Sequence, residues 1–171
     1  MSKKRKGKKV IAKTLGTFGN WTVKGGEVKR STPGKVKKTN LFKLVGEKIP
    51  FEAIDAVEKY ARNVLGSSPE GVYMAIDSMG CPRYSGRGDV FPRLKAHKRD
   101  YPIELDFFSF YIVENKNHQR EIETLLIRST SFLAVLNERK VRASISPGSV
   151  LDYEVGTKFV DRQEKKGKKS S

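Results

Sequence analysis

The stretch GVYMAIDSMGCPRYSGRGDVFPRLKAH, residues 71–97, decides the fold. Its first seven residues alternate in the manner of a strand, with Val72, Met74 and Ile76 on one face. SMGC then turns the chain and PRYSG returns it, which predicts a β-hairpin. VFPRLKAHKR predicts a short helix, and Asp89 is placed to cap its first turn. The segment therefore predicts two antiparallel strands followed directly by a helix.

The spacing of polar side chains across this hairpin and helix points to a site. A hairpin whose even-numbered loop is centred on the dipeptide SM pairs Tyr73 with Tyr84, and directly opposed residues share a sheet face. The helix then carries Arg93 and His97 on one stripe, because four residues make about one turn. Two phenols, a guanidinium and an imidazole at one place can bind a phosphate and move protons. Taken singly, each residue is more typical of a solvated surface than of a site, and only their joint spacing favours a shared site.

The flanking segments predict the rest of the fold. Apolar residues at three- and four-residue steps predict a helix over 50–66, and the aromatic-rich segment 104–114 predicts a central strand. Residues 117–136 predict a second long helix, with a break near 129–131, and residues 149–160 predict a further strand. The expected fold class is α+β, with a small mixed sheet of about three to four strands, flanking helices and basic, largely disordered tails.

The charge distribution predicts the domain organisation. Residues 1–40 carry thirteen Lys and Arg against one acid, residues 158–171 carry six against two, and residues 41–157 balance at sixteen of each. A lysine-dense segment repels itself and suits a polyanion. We therefore expect a basic, mostly disordered nucleic-acid-binding tail at 1–40, with a short hairpin around 18–28, a folded domain at 41–157 with an N-terminal accessory helix, and a basic tail at 158–171. A role in solubility or as an address signal is the alternative for the tails.

The composition also indicates where the protein acts. No apolar run follows the basic start, and no stretch is long enough to cross a membrane, which predicts an intracellular protein in the cytoplasm, nucleoid or nucleus. A single cysteine, Cys81, excludes an internal disulfide and a cysteine-rich zinc site. The expected partner is nucleic acid rather than a membrane, because each lysine that meets a phosphate releases counterions. The candidate contact residues are Lys3, Lys4, Arg5, Lys6, Lys8, Lys9, Arg87 and Lys95.

The same residues resemble the GIY-YIG nuclease superfamily. The motifs stand in this order: GVY (71–73), YSG (84–86), Arg93 and His97 in RLKAH, ETLLIR (123–128) and Asn137. The resemblance covers roughly residues 70–140, and it implies a compact catalytic domain built on a small mixed sheet. The second motif departs from the family pattern, because Ser85 replaces a branched aliphatic residue.

The resemblance implies a role for each site residue. Tyr73, helped by His97, would be the general base that deprotonates the attacking water. Tyr84 would orient the scissile phosphate, and Arg93 would neutralise charge on the phosphoryl oxygens. Glu123 would hold one Mg²⁺, or another divalent cation such as Mn²⁺, and Asn137 would support the site. Periodicity alone does not choose Glu123 over Glu121 as the metal ligand.

The implied function is a metal-dependent endonuclease. It would hydrolyse phosphodiester bonds in nucleic acid, with DNA favoured and RNA left open. One active centre per chain implies a homodimer or a protein partner for cutting both strands. The alternative is a noncatalytic nucleic-acid-binding or assembly protein that retains the nuclease fold, which the tail charge and the altered YSG segment favour.

Overall fold

The computed structural model describes residues 8–30, 40–136, 156 and 158–164. Seven strands are present: β1 (Lys8–Phe18), β2 (Trp21–Arg30), β3 (Leu44–Pro50), β4 (Glu70–Ile76), β5 (Pro82–Asp89), β6 (Phe107–Ile112) and β7 (Lys158–Glu164). Three α-helices accompany them: α1 (Ile54–Leu65), α2 (Val90–Asp100) and α3 (Lys116–Leu136). A single 3₁₀ turn, Phe51–Ala53, leads into α1.

The strands form one mixed sheet in the order β1-β2-β7-β3-β6-β4-β5. Strands β3 and β7 are parallel, and every other neighbouring pair is antiparallel. The α+β class holds, but the expectation of three to four strands was wrong, because the sheet has seven. Strands β1, β2 and β7 lie in the basic segments that we expected to be largely disordered, and β3 lies in the expected folded domain, where no strand was predicted before the helix 50–66.

The basic segments fold because their apolar residues are buried on the sheet. Strands β1 and β2 pair from Lys8↔Arg30 to Phe18↔Trp21, which is a much longer hairpin than the one expected around residues 18–28. Val23 and Val28 of β2 are fully buried, as are Phe159 and Val160 of β7 to within a few per cent. Val23 and Val28 are five residues apart and Phe159 and Val160 are adjacent, so these strands bury apolar side chains on both faces of the sheet. The many lysines in these segments therefore hid the strand pattern in the sequence.

The core lies between the sheet and helices α1 and α2. Phe108 and Phe110 of β6 are fully buried there, and Phe91 of α2 meets the Phe110 ring at 5.3 Å between centroids. The members of this cluster include Ile54, Val57 and Ala61 of α1, Val90, Phe91 and Leu94 of α2, and Tyr73 and Ala75 of β4. The predicted helix 50–66 is confirmed, and Gly66 ends it at φ 68° with its N–H donating to the Arg62 carbonyl.

The hairpin is confirmed, but its expected register was wrong by two residues. Tyr73 pairs with Gly86, and Ala75 pairs with Tyr84. The loop is longer than expected because the buried Asp77 carboxylate accepts the N–H groups of Met79 at 3.0 Å and Cys81 at 2.8 Å. Side chains alternate with a period of two, so a two-residue shift leaves both tyrosines on one face.

Two expectations about the helices need correction. Asp89 is the N-cap residue of α2 but its side chain makes no capping hydrogen bond. Helix α3 is unbroken through Ser129–Ser131, and the hydroxyls of Ser129 and Thr130 donate to the Leu126 carbonyl at 3.0 and 2.9 Å. Asn137 lies outside the described residues.

Candidate functional site

Tyr73 is the buried centre of the candidate site. Strand β4 places it in the core face, where it is fully buried. Its hydroxyl reaches under Gly86 of the edge strand β5, so that a Cβ added at Gly86 would lie 2.6 Å from the hydroxyl oxygen and 3.0 Å from the Tyr84 ring. A side chain at position 86 cannot share that space. Gly86 of the YSG motif therefore leaves room for the Tyr73 hydroxyl of the GVY motif.

Tyr84 and His97 complete a cluster of three rings. The Tyr73 and Tyr84 rings stack with centroids 6.1 Å apart and planes 20° apart. The His97 ring lies 3.8 Å from Tyr84 and 6.1 Å from Tyr73. The Tyr73 hydroxyl is 3.5 Å from Nε2 of His97, which is the long limit of a hydrogen bond. Tyr84 is 43% exposed and His97 is half-buried, so these two rings form the part of the cluster that solvent reaches.

Arg93 brings the positive charge. It lies one turn before His97 on α2, and its guanidinium is near enough to the Tyr73 hydroxyl to oppose the rise in the pKa of that group. It also passes close to β5, because a Cβ added at Gly88 would lie 3.3 Å from its Nε. The structure therefore brings together four of the six site residues that the sequence proposed: Tyr73, Tyr84, Arg93 and His97.

The environment keeps this cluster in a defined protonation state. Burial raises the pKa of Tyr73 above its ordinary 10.0, and the neighbouring Arg93 opposes that shift without reversing it. Burial also lowers the pKa of His97 below 6.5, against the opposing charge of Asp100. At neutral pH the phenol is therefore protonated and the imidazole is neutral. A neutral imidazole beside a phenol can accept a proton, whereas the phenol itself is a poor base.

Glu123 belongs to a different set of contacts. Its carboxylate accepts a hydrogen bond from Nε of Arg87 at 2.8 Å, in an ion pair whose side chains are 22% and 35% exposed respectively. Arg87 lies between Gly86 and Gly88, whose Cβ positions face Tyr73 and Arg93. Because successive side chains alternate along a strand, Arg87 points to the opposite face of β5. The ion pair thus ties α3 to the edge strand, away from the Tyr73 hydroxyl.

This arrangement does not fit a divalent ion held by Glu123. The carboxylate is already neutralised by Arg87, and none of the described His, Cys, Asp and Glu residues form a group of three that could hold a metal. Glu121 is exposed on the same helix, and its position adds no second ligand. Metal dependence stays a prediction.

The Arg87–Glu123 pair makes a testable prediction. We expect Glu123→Ala to destabilise the protein by about 1 kcal/mol, because a half-buried ion pair is worth more than an exposed one. Exchanging both charges (Arg87→Glu with Glu123→Arg) should restore most of that loss, and a double-mutant cycle in urea measures the coupling. If Glu123 were a metal ligand instead, Glu123→Ala would leave the free energy of unfolding unchanged. The charge exchange would then not rescue cleavage.

The proposed nucleic-acid contacts are only partly described. Lys95 is bound to Asp55 at 2.6 Å and to Glu58 at 2.7 Å, and its hydrogen bond to Asp55 is the main cause that raises its pKa. Lys95, like Arg87, therefore forms ion pairs with carboxylates while part of its side chain stays exposed. Lys8 and Lys9 belong to β1, whereas Lys3, Lys4, Arg5 and Lys6 lie outside the described residues.

Sequence reasoning missed the residues that shape the site. The contact of Gly86 with Tyr73 depends on the register, which the loop around Asp77 sets. An Asp two residues before the next backbone donor is a recognised turn signal, and it could have indicated the longer loop.

Comparison with known proteins adds no assignment to this geometry. None of the three described α-helices is both long enough and apolar enough to span a membrane. Searches with the whole chain against protein-family models, curated proteins and solved structures found no match.

Proposed function

We propose that this protein is an endonuclease that hydrolyses phosphodiester bonds in nucleic acid, DNA being the favoured substrate. One observation supports the proposal above the others: Tyr84, His97 and Arg93 meet around the buried Tyr73 hydroxyl. This combination pairs a neutral imidazole with a fixed positive charge. The net charge of +16 favours a polyanionic substrate.

Arg93 and Tyr84 would hold the scissile phosphate. A guanidinium presents several N–H donors in a rigid plane that matches the oxygens of a phosphate. Charge builds on the phosphoryl oxygens as water attacks, so a donor fixed beside them stabilises the transition state more than the ground state. The half-exposed Tyr84 hydroxyl can donate to a second oxygen. Arg93 lies close to the buried Tyr73 hydroxyl.

His97 would be the general base. Its lowered pKa leaves the ring neutral at pH 7, and its half-buried position leaves an edge that water reaches. The water oxygen attacks phosphorus in line with the leaving oxygen, and the water proton passes to His97. Tyr73 is fully buried, so its part is to orient His97 and Arg93 through their contacts with its hydroxyl. This differs from the role that the family resemblance implies for Tyr73.

A cleavage assay tests the proposal. The purified protein is incubated with end-labelled duplex DNA, single-stranded DNA and RNA, with Mg²⁺ and separately with EDTA. We expect cleavage of at least one substrate, and loss of it in Tyr84→Phe and Arg93→Gln. The matched controls are Tyr101→Phe and Arg99→Gln, which alter exposed residues outside the cluster. No cleavage by the wild type, or full activity in both site variants, would sink the proposal.

The pH dependence of cleavage follows from His97. Protonated imidazole cannot accept a proton, so the rate should rise with pH through a value below 6.5 and be level at neutral pH. The free energy of unfolding should also rise with pH. The unfolded chain binds a proton at His97 more readily than the folded chain does, so the free energy of unfolding rises with pH until about 6.5. Rate profiles and urea unfolding between pH 5 and 8, compared with His97→Gln, measure both effects.

A noncatalytic nucleic-acid-binding protein is the second candidate. The observation that favours it is the Arg87–Glu123 ion pair, which engages the carboxylate that the family resemblance assigns to the metal. This candidate predicts salt-sensitive binding that survives the loss of Tyr84 and His97 and collapses when residues 1–40 are removed. Removing 1–40 also removes β1 and β2, so circular dichroism must accompany that measurement.

A further inference from the structure

The carboxylate of Asp89 does not serve the helix that it begins. Asp89 is the N-cap residue of α2, where an aspartate usually accepts a hydrogen bond from the first helical turn. Its side chain makes no such bond. Its Oδ1 is buried and has no hydrogen-bond partner among the residues that the structure describes. A buried carboxylate oxygen without a donor is unfavourable, so this oxygen calls for a ligand.

Glu70 brings a second carboxylate to the same end of the hairpin. The β4–β5 register sets Glu70 directly opposite Asp89, and opposed residues share a sheet face with Cβ atoms roughly 5 Å apart. Like charges in this position repel each other. Glu70 forms an ion pair with Lys116, whereas none of the ion pairs among the described residues includes Asp89. One negative charge is therefore left without compensation.

Gln119 of α3 supplies a second buried acceptor without a donor. Its side chain is 1% exposed, and its Nε2 donates to the Val113 carbonyl at 2.5 Å. This bond fixes the orientation of the amide, because only its nitrogen can donate to a carbonyl. The Oε1 of Gln119 is then turned away from Val113, and it has no hydrogen-bond partner within the described part of the chain.

Two ion pairs place Gln119 beside Asp89. The first turn of α3 is bound to Glu70, which is opposite Asp89, and Glu123 is bound to Arg87, two residues earlier on β5. Helix α3 therefore runs antiparallel to β5. Arg87 and Asp89 are two residues apart, so both side chains point to the α3 side of the sheet. Gln119 lies one turn before Glu123 on the same side of the helix, which brings its carbonyl oxygen to the Asp89 end of β5.

We propose that the Asp89 carboxylate and the Gln119 carbonyl oxygen bind a divalent cation, with Ca²⁺ the best match, and that Glu70 adds negative charge to the site. Ca²⁺ accepts carboxylate and amide oxygens together in irregular arrangements, whereas Mg²⁺ requires a near-octahedral one. A bridging water could donate to both oxygens, but it would leave the repulsion between Asp89 and Glu70. So few protein ligands imply a weak Kd, on the order of 10⁻⁴–10⁻³ M.

This site is separate from the endonuclease proposal and does not depend on it. The ion would tie the start of α3 to the end of β5, whereas the Tyr73 hydroxyl lies on the α2 side of the sheet. Its test therefore uses binding and stability and does not use cleavage.

The side-chain amide of Gln119 reports on the site directly. The chain has two glutamines, Gln119 and Gln163, so Gln119→Met assigns their NMR signals. The full-length ¹³C,¹⁵N-labelled protein is titrated with CaCl₂, with MgCl₂ and with KCl at equal ionic strength. We expect the Gln119 amide signals to shift saturably with Ca²⁺ while those of Gln163 stay in place. An unshifted Gln119 in both divalent salts would indicate a bridging water only and overturn the proposal, as would an equal shift in KCl.

Two variants separate cation binding from packing. At ten times its Kd, Ca²⁺ should raise the Tm of the wild type by about 3–6 °C, and Asp89→Asn should lose this response. Gln119→Glu adds a carboxylate, so it should bind Ca²⁺ about tenfold more tightly. Without Ca²⁺ its Tm should fall, because the hydrogen bond to Val113 is lost and a further negative charge is added.

The matched control is Asp100→Asn, the same change at an exposed residue at the other end of α2. This variant should keep the full response of Tm to Ca²⁺. An equal response in Asp89→Asn and the wild type would overturn the proposal. So would a Gln119→Glu variant that loses stability without binding Ca²⁺ more tightly.

Discussion

Replacing His97 by alanine should reduce the rate of phosphodiester cleavage by about 10²–10⁴-fold, which is the range that a positioned general base contributes. The reason is local. His97 is the neutral base of the cluster, and its ring contacts both tyrosines, at 3.8 Å from Tyr84 and 6.1 Å from Tyr73. Substrate binding should change little, because Arg93 and Tyr84 remain. Single-turnover rates at saturating enzyme separate the two effects.

The chain supplies its own control for this measurement. It has two histidines, and the second, His118, is exposed at the start of α3. His118→Ala should cleave at the wild-type rate, and both variants should keep the wild-type circular dichroism spectrum. Equal rates for His97→Ala and the wild type would remove His97 from the mechanism. Equal losses in both variants would point to folding rather than to catalysis.

The largest effect on stability is expected from Phe110→Ala, which should cost about 3–5 kcal/mol of the free energy of unfolding. Phe110 is fully buried on β6, with the Phe91 ring of α2 at 5.3 Å and the Phe108 ring at 6.1 Å. The surrounding side chains come from a sheet and a helix that cannot collapse into the cavity. Because domains are stable by only about 5–15 kcal/mol, this single change removes a large share.

Urea unfolding measures this loss, with Ile103→Ala as the control. Ile103 is apolar but 86% exposed, so its truncation should change the midpoint very little. A Phe110→Ala loss below about 1 kcal/mol would mean that the core between β6 and α2 is not packed as described. Phe110 also pairs with Tyr73 across β6 and β4, so the variant should weaken cleavage as well.

Local patterns predicted the elements around the site well. The helix 50–66, the strand ending at Ile76 and the helix after Asp89 each have a clear period and a clear end. The strand ending at Ile76 carries Tyr73, the returning strand β5 carries Tyr84, and the helix after Asp89 carries Arg93 and His97. The expected register of the hairpin was wrong, but both tyrosines still lie on one face because the shift is two residues. Local periodicity therefore predicted most of the candidate site.

What failed depends on contacts between distant segments. Strands β1, β2 and β7 are rich in lysine, and they are strands because Val23, Val28 and Val160 find a core that residues far along the chain provide. The contact of Glu123 with Arg87 was not predicted for a related reason. Helical periodicity fixes which side of α3 a residue faces but not which side of the sheet the helix covers. Only the three-dimensional structure shows which side of the sheet α3 covers, through the ion pair between Glu123 and Arg87.

The central claim is that Tyr84, Arg93 and His97 surround a bound phosphodiester. Histidine side-chain NMR tests it most directly, because the chain has only two histidines and their ring signals are easily told apart by His97→Gln. A phosphorothioate oligonucleotide that resists cleavage is titrated into the ¹⁵N-labelled protein. The account predicts that the His97 ring signals shift with saturation while those of His118 stay in place. An unshifted His97 at saturating ligand would contradict it.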